Sequence, residues 1–213
     1  MTKIIAGITI PDSKLAREVD ELVRDTESEL LYHHSNRVFL FGALAGQRAG
    51  LKVNHELLYV GAMFHDMGLQ APYASTNERF EVDGANAAAK FLRAHRINER
   101  DVEDVWDAIA LHTTPDIPKH KRPVVALVTA GVEMDVLGLE FDSFTAAQRH
   151  EVCAHHPRGH DFKNGIIDAF AAGTIKKPGT TFGNVKADVL ALRDPTYHRI
   201  NFCDVILNSK WSE

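Results

Sequence analysis

The stretch Leu57-Leu58-Tyr59-Val60-Gly61-Ala62-Met63-Phe64-His65-Asp66-Met67-Gly68-Leu69 constrains this chain more than any other. An apolar run of helical length ends in a histidine and an aspartate, followed shortly by a glycine. Ionisable groups are costly in such an interior unless something pairs with them. A metal ion would pair with both, taking a neutral imidazole and a carboxylate as ligands. Neighbouring helical residues point about 100° apart, so His65 and Asp66 can share one ion only where the helix ends. Gly68 is expected to supply that stop. Taken alone, the dipeptide fits a core histidine beside a C-terminal turn equally well.

With 213 residues, 45% of them hydrophobic and 25% charged, the chain reads as one globular domain spanning 1–213, able to bury a core without staples. A formal charge of −5 and the lack of a basic stripe speak against a nucleic-acid partner. The basic cluster Lys119-His120-Lys121-Arg122 reads as a solvated loop. Cys153 and Cys203 show no paired spacing and are expected to be reduced thiols of a cytoplasmic protein. The apolar run from Ile4 to Ile10 leads into Pro11-Asp12 with no small-residue cleavage site, and nothing approaches transmembrane length. A membrane is therefore not an expected partner.

Periodicity is helical nearly throughout. Residues 4–10 look extended, and Asp12 is expected to cap a first helix with Leu15, Val19, Leu22 and Val23 on its apolar stripe. A second helix, roughly 29–49, places Leu31, His34, Val38, Phe41 and Ala45 on one face, with Arg37 nearly one turn beyond His34. The helix bearing His65 and Asp66 begins near Asn54. Asp83 is expected to cap an alanine-rich helix over 84–94. The next, about 99–112, buries Val102, Val105, Trp106 and Ile109, and its stripe continues to His112. Another starts at Pro123 and carries Val124, Val128, Gly131 and Asp135 on one face, with Glu133 on the opposite, solvated side. Three or four helices follow, interrupted by a turn-rich gap at 176–184. The expected fold class is all-α, with a core about 29–140 and helices over 145–213 packed on it.

Four inward positions, His34, His65, Asp66 and Asp135, form the ordered pattern H…HD…D, with His65 31 positions after His34 and Asp135 69 positions after Asp66. Four further segments accompany it: His34-Ser35-Asn36-Arg37-Val38, Arg79-Phe80-Glu81-Val82-Asp83-Gly84, Ala108-Ile109-Ala110-Leu111-His112 and Asp135-Val136-Leu137-Gly138. Together they resemble the HD superfamily of metal-dependent hydrolases, and within it the cyanamide hydratase branch, over roughly residues 5–170. The resemblance implies a helical bundle with a metal site between core helices. It implies His34, His65, Asp66 and Asp135 as ligands of one divalent ion, Zn²⁺ before Fe²⁺, Mn²⁺ or Ni²⁺. The expected activity is hydro-lyase chemistry, in which hydroxide held on the metal adds to a small nitrile-like substrate such as cyanamide to give urea.

Around this ligand set, His112 is expected to transfer a proton, or else to be a core histidine bonded to a carbonyl. Glu81 is expected to orient the attacking water or to accept from the substrate, and Arg37 to pair with Asp66 or Glu81 or to bind a developing anion. The alternative activity is phosphohydrolysis of a nucleotide or other phosphate ester, which needs cationic groups on the phosphate. In many phosphohydrolase members Gly-Lys follows the HD pair, whereas here Leu69 follows Gly68. A domain that only binds a ligand is a third alternative. A second pair, His160-Asp161, reads as a helix cap and not as a site. The resemblance permits a homo-oligomer.

Overall fold

The computed structural model describes residues 3–181, 183 and 185–212, so part of the turn-rich gap, residues 182 and 184, lies outside them. The protein is all-α apart from one small hairpin. Strands β1 (Ile4–Ile5) and β2 (Ile8–Thr9) pair antiparallel, Ile4 opposite Thr9 and Ile5 opposite Ile8. The two residues between them, Ala6 and Gly7, both have positive φ, as a two-residue hairpin turn requires. Ile5 and Ile8 are fully buried, so this short arm is fixed by its side chains; each contributes about 1.5–3 kcal/mol by burial.

Ten α-helices follow among the described residues: α1 (Lys14–Thr26), α2 (Glu29–Arg48), α3 (His55–Phe64), α4 (Phe80–Ala94), α5 (Glu99–Ala110), α6 (Pro123–Val132), α7 (Ala146–His155), α8 (Phe162–Thr174), α9 (Val185–Arg193) and α10 (Phe202–Leu207). Ser13, Ser28, Asn54 and Asn98 start α1, α2, α3 and α5, each side chain accepting a first-turn N–H. Ser13 thus takes the place expected of Asp12, whose carboxylate accepts from Arg17 Nη1 at 2.9 Å.

Helix α2 is the axis of the molecule, buried without interruption from His34 to Gly46. It packs against α3 and α6, while α4 packs on α5. Contact between α2 and α6 is close because Gly131 has no side chain; a Cβ there would lie 2.1 Å from the Val38 carbonyl oxygen. Past α6 the chain widens into a π turn, Glu133–Leu137, closed by Gly138 at φ +67°. The i→i+5 bonding of such a turn breaks the 3.6-residue repeat, so faces read across it are no longer in phase.

Two expectations near α4 change. The helix begins at Phe80, so Asp83 lies inside its first turn and does not cap it. The Asp83 carboxylate instead accepts from Ser75 N at 2.9 Å, Ser75 Oγ at 3.1 Å and Lys177 Nζ at 2.8 Å. The basic cluster is exposed as expected; Lys119, Lys121 and Arg122 pair with Asp116, Asp107 and Asp104. Both cysteines are free thiols.

The C-terminal helices complete the core. Helix α8 packs on α2 and on a 3-10 turn, Met67–Leu69, and α10 packs on α8 and the π turn. A second apolar cluster joins Leu31, Leu69, Phe80 and Val136 to Phe162, Ile166 and Ile206 from these late helices. Trp211 donates its ring N–H to the Met134 carbonyl at 2.9 Å, tying the end of the chain to the π turn. Among the described residues no helix is long and apolar enough to cross a membrane.

Candidate metal centre

His34 projects from the buried length of α2 toward the end of α3, which stops at Phe64. His65 still has helical angles, φ −61° and ψ −33°, whereas Asp66 has left the helix at φ −102° and ψ 2°. That break swings the Asp66 carboxylate round to the imidazole of its neighbour, as sharing one ion demands. Gly68 is not the helix stop, because α3 ends before it. It is a contact glycine: a Cβ there would sit 1.9 Å from the Phe80 carbonyl oxygen, where α4 crosses the turn.

Donor atoms of His34, His65 and Asp66 all lie within 4.8 Å of one another, and all three residues are buried. His34 Nε2 and His65 Nε2 are 3.1 Å apart. Asp66 Oδ2 is 3.3 Å from the latter and 3.7 Å from the former. Each ring's other nitrogen is committed as a donor. His65 Nδ1 lies 2.7 Å from the Ala62 carbonyl, and His34 Nδ1 lies 2.7 Å from Asp135 Oδ2. Neutral imidazoles bound in this way turn an Nε2 lone pair inward. Both Asp66 oxygens are buried and accept no hydrogen bond. Two lone pairs and an unsatisfied carboxylate thus converge on one point. Hydrogen-bond donors are missing there, and the arrangement fits a divalent cation.

The electrostatics follow. Burial alone would raise the Asp66 carboxyl, but His65 beside it, with His34 and His112, outweighs burial and holds it well below the usual carboxylate range. His65 goes up, the Asp66 charge overcoming burial. His34 goes down, burial prevailing over its bond to Asp135.

Asp135, expected as the fourth ligand, does not join this group. Its carboxylate stands behind His34, on the Nδ1 side, and is gripped by two arginines. Arg37 donates from Nε to Oδ1 at 2.8 Å and from Nη2 to Oδ2 at 2.9 Å, a bidentate clamp. Arg158 donates to Oδ1 at 2.8 Å and to the Asp135 carbonyl at 2.7 Å. Burial would raise the Asp135 carboxyl, but these two cations and His34 hold it far below the ordinary value. In this arrangement Asp135 orients an imidazole. The expectation for Arg37 changes with it. Fully buried, bonded to Asp135 and to the carbonyls of His156 and Pro157, it reaches neither Asp66 nor Glu81 and cannot meet a substrate anion. Arg158 was not singled out from sequence; it lies in a Pro-Arg-Gly loop, with no periodicity to reveal its direction.

His112 is at the site, as expected. Its Nδ1 lies 2.6 Å from the Ile109 carbonyl, and its Nε2 accepts no hydrogen bond and sits 3.7 Å from Asp66 Oδ1. Burial, with His65 adding to it, pushes its pKa down to about 4, so the ring is neutral near pH 7. It is bonded to a carbonyl, as a core histidine would be, and it also faces the cavity. Glu81 is one step removed. It accepts from Arg79 Nη2 at 2.8 Å and from the Thr113 hydroxyl, and Thr113 lines the cavity where Glu81 does not. Burial would raise the Glu81 carboxyl, but these two bonds pull it down.

The cavity measures about 80 Å³. His34, His65, Asp66 and His112 face it together with Thr113 and Glu133, and its walls are Pro115, Val132, Val136, Leu137, Phe170 and Phe202. Glu133 was expected on a solvated face; at the end of α6 it lies instead on the cavity wall, half-buried, because Phe170 and Phe202 of the late helices cover that face. Burial pushes its carboxyl up, and Asp116 adds to the shift. His160-Asp161 is not part of any such group. Asp161 sits at the N-cap of α8 but makes no capping bond, its Oδ1 accepting instead from Asn164 at 2.7 Å. Among the described residues His34, His65 and Asp66 are the one group of three or more donors that converge in this way.

The family model for the HD domain matches residues 31–139, just over half of the chain and a span that holds every residue of the H…HD…D pattern. The chain belongs to the HD domain family. No curated protein matches it. HD domains are metal-dependent hydrolases that bind divalent ions, and in this HD domain His34, His65 and Asp66 are the residues able to hold one. The matched span ends with the π turn, so Phe170 and Phe202 come to the cavity from outside it.

Proposed function

We propose that this HD domain hydrates a small uncharged nitrile, with cyanamide as the type substrate and urea as its product. The observation that carries this reading is the cavity. On the scale of one water per roughly 10–15 Å³ it has room for about five waters, and neither lysine nor arginine lines it. Phosphoryl chemistry needs cations where charge develops on the phosphate oxygens. Here Arg37 is consumed by Asp135, and Arg79 points to Glu81. Apolar walls around a polar floor favour a compact neutral molecule.

His34 Nε2, His65 Nε2 and Asp66 would hold the ion. Two imidazoles and a carboxylate suit Zn²⁺, and Fe²⁺, Mn²⁺ and Ni²⁺ accept the same donors. When bound there, such an ion supplies Lewis acidity that brings the pKa of water toward 7. The chain's own groups do the rest. Asp135, fixed by Arg37 and Arg158, keeps the His34 lone pair turned inward. His112 offers an unpartnered Nε2 to the cavity. It takes a proton from the attacking water as oxygen bonds to the nitrile carbon, and the C≡N π pair moves to nitrogen. The same ring returns that proton to nitrogen, and the resulting isourea or imidic acid tautomerises to the amide. The walls exclude bulk water from these transfers.

The test is metal analysis of the purified protein, with urea formation from cyanamide and phosphate release from a nucleotide panel assayed side by side. Stoichiometric metal and urea are expected. Metal with phosphate release and no urea would overturn the reading in favour of the phosphohydrolase.

A further inference from the structure

We propose that Glu133 is the specificity-determining residue of this cavity, its carboxylate accepting an N–H of the substrate and so selecting uncharged molecules that carry an amino group. The inference deepens the hydration reading and rests on it for the reacting group, though not for the binding of an N–H donor.

Six polar side chains face the cavity, and the metal group and the proposed proton transfer account for four of them. His34, His65 and Asp66 form the metal group, His112 turns its unpartnered Nε2 to the reacting atoms, and Thr113 donates its hydroxyl to Glu81. Glu133 is the sixth. Its side chain makes no hydrogen bond to any described residue, although it is half-buried beside Val132, Val136 and Leu137. The charges acting on it are Asp116 and Lys119, both exposed and bonded to each other at 2.5 Å. A carboxylate partly withdrawn from water, with no donor of its own, is stabilised by any ligand that brings one. The same charge, with no cation among the lining residues, repels anions.

The backbone supports the assignment. On an uninterrupted helix Glu133 and Asp135 would face apart. Glu133 keeps helical angles, φ −59° and ψ −40°, at the end of α6 and faces the cavity with Val136 and Leu137, three and four residues on, while Asp135 turns the other way, against His34. Cyanamide meets the requirement with its amino hydrogens, and N,N-dimethylcyanamide has the same N–C≡N frame and no donor.

The experiment compares wild type, Glu133→Leu and Glu133→Gln, all purified with metal. It measures KM and kcat for cyanamide and N,N-dimethylcyanamide, and urea binding by calorimetry as a readout independent of turnover. Loss of one charge-assisted hydrogen bond predicts that Glu133→Leu raises the cyanamide KM and the urea Kd about tenfold or more. Its metal content should not change, and its KM for the dimethyl compound should stay within about twofold. Glu133→Gln keeps an acceptor oxygen and should lie between the other two. Unchanged cyanamide KM and urea Kd in a folded, metal-replete Glu133→Leu would overturn the proposal while leaving hydration intact. Should cyanamide not be hydrated at all, urea binding that still depends on Glu133 would sustain it, and urea binding indifferent to Glu133 would overturn it.

Discussion

Asp135 shows how far a residue's type and its job can diverge. Its place on an inward face was read correctly from the Val124, Val128, Gly131 stripe, and it is fully buried. The sequence could not say which nitrogen of His34 it would meet, and it meets Nδ1. The two positions make different predictions. His65→Ala removes a donor of the three-residue group and should leave the protein without bound metal by elemental analysis. Asp135→Asn loosens only the carboxylate that orients His34, and should weaken metal affinity by about 10–100-fold in chelator competition. A complete loss of metal from Asp135→Asn, equal to that of His65→Ala, would show Asp135 to be a direct ligand. Arg37 carries the same lesson. Its position one turn from His34 was legible, but its reach across to Asp135 depended on where α6 ends.

Among elements, the late helices matter most to the cavity. Phe170 of α8 packs edge-on against Phe80 at 5.3 Å, and Phe80 packs against His112 at 5.6 Å, so α8 is coupled to the site through two rings. What secures its far end is the buried pair of Lys177 and Asp83. Breaking a buried pair strands the remaining charge, typically at a cost of about 3–5 kcal/mol. Lys177→Met should therefore lower stability in urea unfolding by an amount of that order, and Lys177→Met with Asp83→Asn should recover part of it. Near-zero loss in the single variant would mean that α8 is held by its apolar contacts alone. Neither partner advertised this role in the sequence: Asp83 resembled a helix cap, and Lys177 fell in a gap with no period.

Across the whole molecule, the metal group joins α2 to the end of α3 at the centre of the core, so an ion held there bears on global stability. A ligand that binds only the folded state stabilises it by RT ln(1 + [L]/Kd), about 2.7 kcal/mol at a hundredfold excess over Kd. Chelation should lower the melting temperature, and added Zn²⁺ should restore it in a concentration-dependent way. A melting temperature indifferent to both would separate the His34, His65 and Asp66 cluster from metal binding.

The sequence by itself determined the helical class, the burial of His34, His65, Asp66, His112 and Asp135, and the family. All of these depend on periodicity and on residue order, which are local properties of the chain. Tertiary structure alone decided that Asp135 clamps an imidazole, that Arg37 is spent on Asp135, and that Glu133 and two late phenylalanines shape the cavity. The physical reason is packing between elements far apart in the chain: the Arg158 loop holds Asp135, and α8 and α10 cover the face that bears Glu133. No repeat in the amino-acid order records which distant segment will cover a given face.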